Sequence, residues 1–243
     1  PTRAWSSYTR VQRAAWRSGP PDSLAYGKRS AVLRMQLAYL GDNTVRAGLR
    51  SYMKEVRFGN ARGEDLWRHL GAASGQDVAG TMKDWITQPG HPSVFASWDG
   101  KALTLRQERA RSSPLATPDK TVWRIPLVLR YEDATGIHEH RHLLSAVEER
   151  IKLPVQGTLK WLWPNAGDVG FVRCSVAPAL RPGLTQTAST FPPAERVALL
   201  RDAGMQLRAG QMTADHFLGW MLSLMDGEAP YEVLQHQVAL LRE

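Results

Sequence analysis

PSVFASWDGKALTLRQER, residues 92–109, is the stretch that decides the architecture. Apolar and polar residues alternate on both sides of Asp99-Gly100, a pair favoured in the tight turn of a β-hairpin. A period of two cannot belong to a helix, so the chain is β-structured here. The runs that follow keep this character: VWRIPLVLRY, HEHRHLL, ERIKLP, TLKWLWP and GFVRCSV, separated by turn residues at short intervals. Their spacing predicts a small all-β sandwich.

Upstream the period changes. Residues 24–88 read as helices. LAYGKRSAVLRMQLAYLG carries Leu33, Leu37 and Leu40 at helical spacing, with Gly41 as a stop. DNTVRAGLRSYMKEVRFGN, GEDLWRHLGAASG and DVAGTMKDWI open on capping or acidic residues. Downstream, a loop rich in Pro, Thr and Ser is expected over roughly 177–193. Helical patterns then return in AERVALLRDAGMQLRAG, TADHFLGWMLSLMDG and PYEVLQHQVALLRE. The fold class expected is α+β multidomain: helices, then an all-β sandwich, then the start of an all-α region.

The 243 residues carry 31 Lys and Arg against 23 Asp and Glu, a net charge of +8. Such an excess suits nucleic acid. The basic residues are spread along the chain without a block, however, and the expectation is no nucleic-acid partner. No apolar run approaches the length of a membrane span, so no membrane partner is expected. Cys174, the only cysteine, excludes an internal disulfide and a cysteine-based zinc site, and reads as a buried strand residue. A lone cysteine fits the cytoplasm, the location slightly favoured.

His138–His142 (HEHRH) satisfies H-E-x-x-H, a metal-holding pattern when it lies on a helix. Gly136 before it and the strand-like residues after it argue for a strand. His138, His140 and His142 then share one face, and Glu139 and Arg141 the other. That parts the would-be general base from the would-be ligands. Three histidines on one strand face could still take a transition metal weakly; a solvated sandwich face is the plainer expectation.

Several motifs in order resemble the M1 family of zinc aminopeptidases. Tyr26-Gly27-Lys28 with the helix after it is similar to the family's Y-x-K-G-x-x-V-L-x-M-L. Phe58-Gly59-Asn60-Ala61 with Asp65-Leu66-Trp67 resembles Y-x-N-A-x-x-x-D-L-W. Ser74-Gly75, Val78, Met82 and Trp85 resemble S-G-x-x-V-x-x-x-M-x-x-W. Gln88-Pro89-Gly90-His91-Pro92 resembles Q-P-G-F-P, and Trp123-Arg124-Ile125-Pro126-Leu127 resembles W-x-I-P-L. Asn165 with Gly170-Phe171-Val172-Arg173 resembles N-x-x-G-x-Y-R-V. Arg29, His91 and Val172 depart from the pattern. The family's G-x-M-E-N loop and its H-E-x-x-H with a later Glu do not occur before Tyr26. Counted from HEHRH, the family's third ligand would fall on Trp161.

The resemblance implies residues 1–90 as the helical end of a thermolysin-like catalytic domain, 91–178 as the β-sandwich and 190–243 as the start of the C-terminal helical domain. It implies a fragment of an enzyme that removes N-terminal residues from peptides by metal-activated water. Zinc belongs to the complete enzyme and none is bound by this chain. The isolated chain is then inactive, and its partners are the missing N-terminal and catalytic segments of the same protein. Tyr26 is the one catalytic residue implied, as oxyanion stabiliser. Lys28 is expected on the helix surface, with a bond near Tyr26 as the alternative, and His91 in a linker turn. Trp67 and Trp85 are expected in helix core faces, Trp161 and Trp163 in packing or an aromatic platform, and His216 and His236 on amphipathic helices. The alternatives are a non-catalytic module binding protein or nucleic acid, and an autonomous metalloprotease using HEHRH.

Overall fold

The computed structural model describes residues 23–111, 113, 115, 120–224 and 230–240; the side chains of 23–26, 232, 236 and 240 lie outside the described set. Among the described residues four helices come first: α1 (Ser23–Leu40), α2 (Asp42–Val56), α3 (Gly63–Ser74) and α4 (Val78–Thr87). Their ends follow local chemistry. Gly41, at φ +80°, breaks α1 from α2, and its N–H is donated back to the Leu37 carbonyl at 3.0 Å. Gly75 closes α3 in the left-handed region, and the Asp77 side chain caps α4 by accepting the Gly80 N–H at 2.8 Å.

Seven strands follow among the described residues: β1 (Pro92–Trp98), β2 (Leu103–Arg109), β3 (Ile125–Asp133), β4 (Gly136–Leu144), β5 (Glu148–Ile151), β6 (Trp161–Trp163) and β7 (Arg173–Val176). They form a four-stranded sheet, β5-β2-β1-β7, and a three-stranded sheet, β4-β3-β6. The expected hairpin is present: β1 and β2 pair antiparallel with Trp98 opposite Leu103. In its turn the Asp99 carboxylate accepts the N–H groups of Lys101 and Ala102 at 2.9 and 2.8 Å. Among the described strands only β7 joins its neighbour in parallel.

Residues 178–190, expected as a loop, are helical. A 3₁₀ turn at Pro178–Leu180, α5 (Arg181–Thr187) and a second 3₁₀ turn at Ala188–Thr190 run in succession. Leu180, Leu184 and Ala188 recur every fourth residue and are all buried, so this segment folds by packing one stripe against the sandwich. Then come α6 (Pro193–Arg208), α7 (Ala214–Leu224) and α8 (Tyr231–Leu240). No described helix is long and apolar enough to cross a membrane.

One continuous buried cluster runs through all three parts, from Val32 and Met35 through Trp85, Trp123 and Trp161 to Trp220 and Val233. The inward stripe of α1 is Val32, Met35 and Gln36; Leu33, Leu37 and Leu40 are only partly buried. The helical pattern was legible, but its phase was set by what packs on it, because α1 lies across β3.

Polar bonds cross each junction. Arg124, just before β3, donates from Nε and Nη2 to the two Asp84 oxygens at 2.7 and 3.0 Å, and from Nη1 to Asp77 at 2.8 Å. The Trp85 indole N–H is donated to the Arg124 carbonyl at 3.0 Å. On the other side Arg130 bridges Glu139 and the buried Glu195 of α6. Asp202 of α6 accepts the Cys174 N–H at 2.8 Å.

Candidate active-site wall

The first turn of α1 holds the backbone of Tyr26; its side chain lies outside the described residues. Lys28, expected on the helix surface, is instead partly buried. Its ammonium donates to the carbonyls of Gln88 and Gly90 at 3.0 and 3.2 Å. Burial first, and the Arg109 charge second, pull its pKa below the ordinary lysine value. Nothing in the local pattern announces this contact, because the acceptors lie in a turn 60 and 62 residues away.

That turn is firmly held. Gln88 donates its backbone N–H to Asp84 and its side-chain amide to the Val122 carbonyl, both at 3.1 Å. Gly90 takes φ +83°, a value costly for any residue with a Cβ. The His91 carbonyl accepts the Ala110 N–H at 2.9 Å.

His91 does sit in the linking turn, but its ring is packed inward. It lies 5.5 Å from the Phe171 ring, and its Nε2 is buried without a hydrogen-bond partner. Burial, then the charges of Arg173, Lys28 and Arg201, depress its pKa to about 4. The imidazole is therefore neutral at pH 7. Behind it, Asp168 links the parts: its carbonyl accepts from Arg34 of α1, and its carboxylate takes two bonds from Arg201 of α6, at 3.1 and 2.9 Å. The wall is a neutral imidazole set beside cations from α1, β7 and α6, two of which, Arg173 and Arg201, are paired with Asp202 and Asp168.

HEHRH is a strand. It forms the middle of β4, and residues 138, 140 and 142 alternate with the exposed Glu139 and Arg141. The face is not the solvated one expected. His138, His140 and His142 stand opposite Tyr131, Leu129 and Leu127, whose side chains are buried, so the histidines lie on the inward side at the sheet's edge. His138 Nε2 bonds Asp133 at 3.1 Å and Thr135 at 3.0 Å, and His142 Nε2 bonds Glu149 at 2.7 Å. Two of the three imidazoles are thus bound to separate carboxylates. Among the described residues no group of three His, Cys, Asp or Glu side chains is placed to hold a metal ion.

Trp161 and Trp163 are 1% and 2% exposed, which removes the aromatic-platform reading. Trp161 donates its indole N–H to Glu132 at 2.7 Å and packs on Phe191. Cys174 is buried, and its thiol is pushed well above the usual range by that burial. Trp85 is buried in the core while Trp67 is only partly so. His216 is exposed on α7 and bonded to Thr213; the His236 side chain lies outside the described residues.

Comparison with known proteins gives these features a context. Residues 18–85 match the model of the Peptidase family M1 domain. The leucyl aminopeptidase of Saccharolobus solfataricus is 35% identical over 152 residues, 63% of this chain and 18% of that protein. Probable aminopeptidase 1 of Sulfurisphaera tokodaii is 30% identical over 189 residues, 78% of the chain and 22% of that protein. Aminopeptidase M1 of Arabidopsis thaliana is 28% identical over 232 residues, 90% of the chain and 26% of that protein. The chain thus spans 18% to 26% of the length of these relatives.

Proposed function

We propose, from the premise that the chain is homologous to the M1-family aminopeptidases, that it is one part of a zinc-dependent enzyme that removes N-terminal residues from peptides. The supporting observation is the reach of the likeness. It extends over 232 residues and so runs through helices, sandwich and second helical segment alike. In this reading residues 1–90 end the catalytic domain, 91–178 are the sandwich and 190–243 begin the helical domain. The zinc ligands lie outside the described residues, and the isolated chain does not turn over peptide.

The chain's own chemical contribution is Tyr26. When water adds to the scissile carbonyl, the carbonyl oxygen takes up negative charge. A phenol O–H held beside it donates a hydrogen bond that strengthens as the charge develops, which lowers the barrier rather than merely the substrate's free energy. Two positions on from Tyr26, Lys28 meets the turn that leads to His91; that imidazole is neutral at pH 7, and the carboxylates of Asp168 and Asp202 are paired with Arg201 and Arg173.

The test is made on the complete protein with an aminoacyl p-nitroanilide and its N-acetylated form. Release of nitroaniline from the free amine alone, lost on chelation and restored by zinc, is the expected result. Equal cleavage of the acetylated substrate would contradict an aminopeptidase.

A further inference from the structure

The fold has partly buried a lysine to make the Lys28 contact. The residues around it are different: Gly27, Arg29 and Ser30 are exposed. The lysine's cation is opposed by burial and by Arg109, and two carbonyl oxygens from one turn hold it in place. That turn is itself bonded to α4, to the segment before β3 and to the residue after β2. The ammonium therefore fastens the first turns of α1 to the rigid junction of helices and sandwich. Further along, α1 is fixed by buried Val32 and Met35 and by Arg34 on Asp168. Lys28 is the anchor two positions from Tyr26.

We propose that Lys28 is a positioning residue: its clamp on the Gln88–Gly90 turn sets the orientation of the α1 turn that carries Tyr26. This rests on the oxyanion role given to Tyr26 above. A catalytic donor works only within a narrow range of position, and a shift of about 1 Å can cost on the order of 100-fold in rate. Loss of the clamp lets the first turn of α1 rotate or fray without unfolding the helix, since Val32, Met35 and Gln36 hold the helix further along; among the described side chains of α1 the buried stripe begins at Val32.

The experiment is a double-mutant cycle in the complete enzyme, reading kcat and KM for Lys28→Met, Tyr26→Phe and the pair. Lys28→Met lowers kcat by about 10- to 100-fold with KM within about twofold, and costs less than about twofold once Tyr26 is already Phe. An equal loss in both backgrounds, or no loss in either, overturns the positioning role. If Tyr26→Phe alone keeps full kcat, the role of Tyr26 fails and this inference with it. If Tyr26→Phe is slow while Lys28→Met is not, only the inference fails. Lys28→Arg, which keeps a cation able to donate to both carbonyls, recovers part of the lost kcat; the same cycle is read with it if the Met variant does not fold.

Discussion

His91→Phe should remove one source of pH sensitivity from the junction of helices and sandwich. In the unfolded chain the imidazole titrates near 6.5, and in the fold its pKa falls to about 4, chiefly through burial and then through Arg173, Lys28 and Arg201. Between these values the unfolded state binds a proton that the native state refuses, so stability falls as pH drops through 6.5 and levels off below about 4. At pH 5 the loss comes to about 2 kcal/mol, and it approaches about 3 kcal/mol below pH 4. Phe carries no such linkage. It also removes the buried Nε2 that has no partner and keeps an aromatic ring against Phe171. The larger ring costs or gains a fixed amount, which cancels when the variant is compared with itself at two pH values. Asp202, whose carboxyl burial pushes up to about 6, titrates in both proteins and drops out of the difference. Thermal melts at pH 7.5 and pH 5 provide the assay. The variant's advantage over the parent should grow by about 2 kcal/mol, or roughly 4–8 °C in Tm. An advantage that does not change with pH would refute the buried, cation-flanked imidazole.

Two glycines should respond oppositely to the same change. At Gly183 an added Cβ would sit 1.9 Å from the backbone oxygen of Lys160, so Gly183→Ala must push α5 off β6 and should cost about 3 kcal/mol in chemical denaturation. At Gly27 a Cβ meets nothing within 4 Å, and Gly27→Ala in α1 should raise stability by up to about 1 kcal/mol. If the two variants melt alike, the packing assigned to α5 is wrong.

How much of this was legible in the sequence depended on range. Alternation around Asp99-Gly100 and through HEHRH identified strands, because a period of two is a property of neighbouring residues. It could not identify which face of β4 turned inward; that is set by Leu127, Leu129 and Tyr131 on the paired strand. The segment 178–190 did carry a signal, Leu180-Leu184-Ala188 at helical spacing, masked by its Pro and Thr content. Pro178 and Pro182 instead occupy helix starts, where a missing N–H costs nothing. The wall was the least legible part. Tyr26 was reached through resemblance, and the Lys28 clamp and the buried His91 depend on groups 60 or more residues distant.

The role proposed for Tyr26 on the reacting carbonyl is read from kcat of Tyr26→Phe in the complete protein, a change that removes one oxygen and leaves the ring. A fall of about 100- to 1000-fold at nearly unchanged KM is the predicted result. Turnover equal to that of the parent enzyme would contradict it.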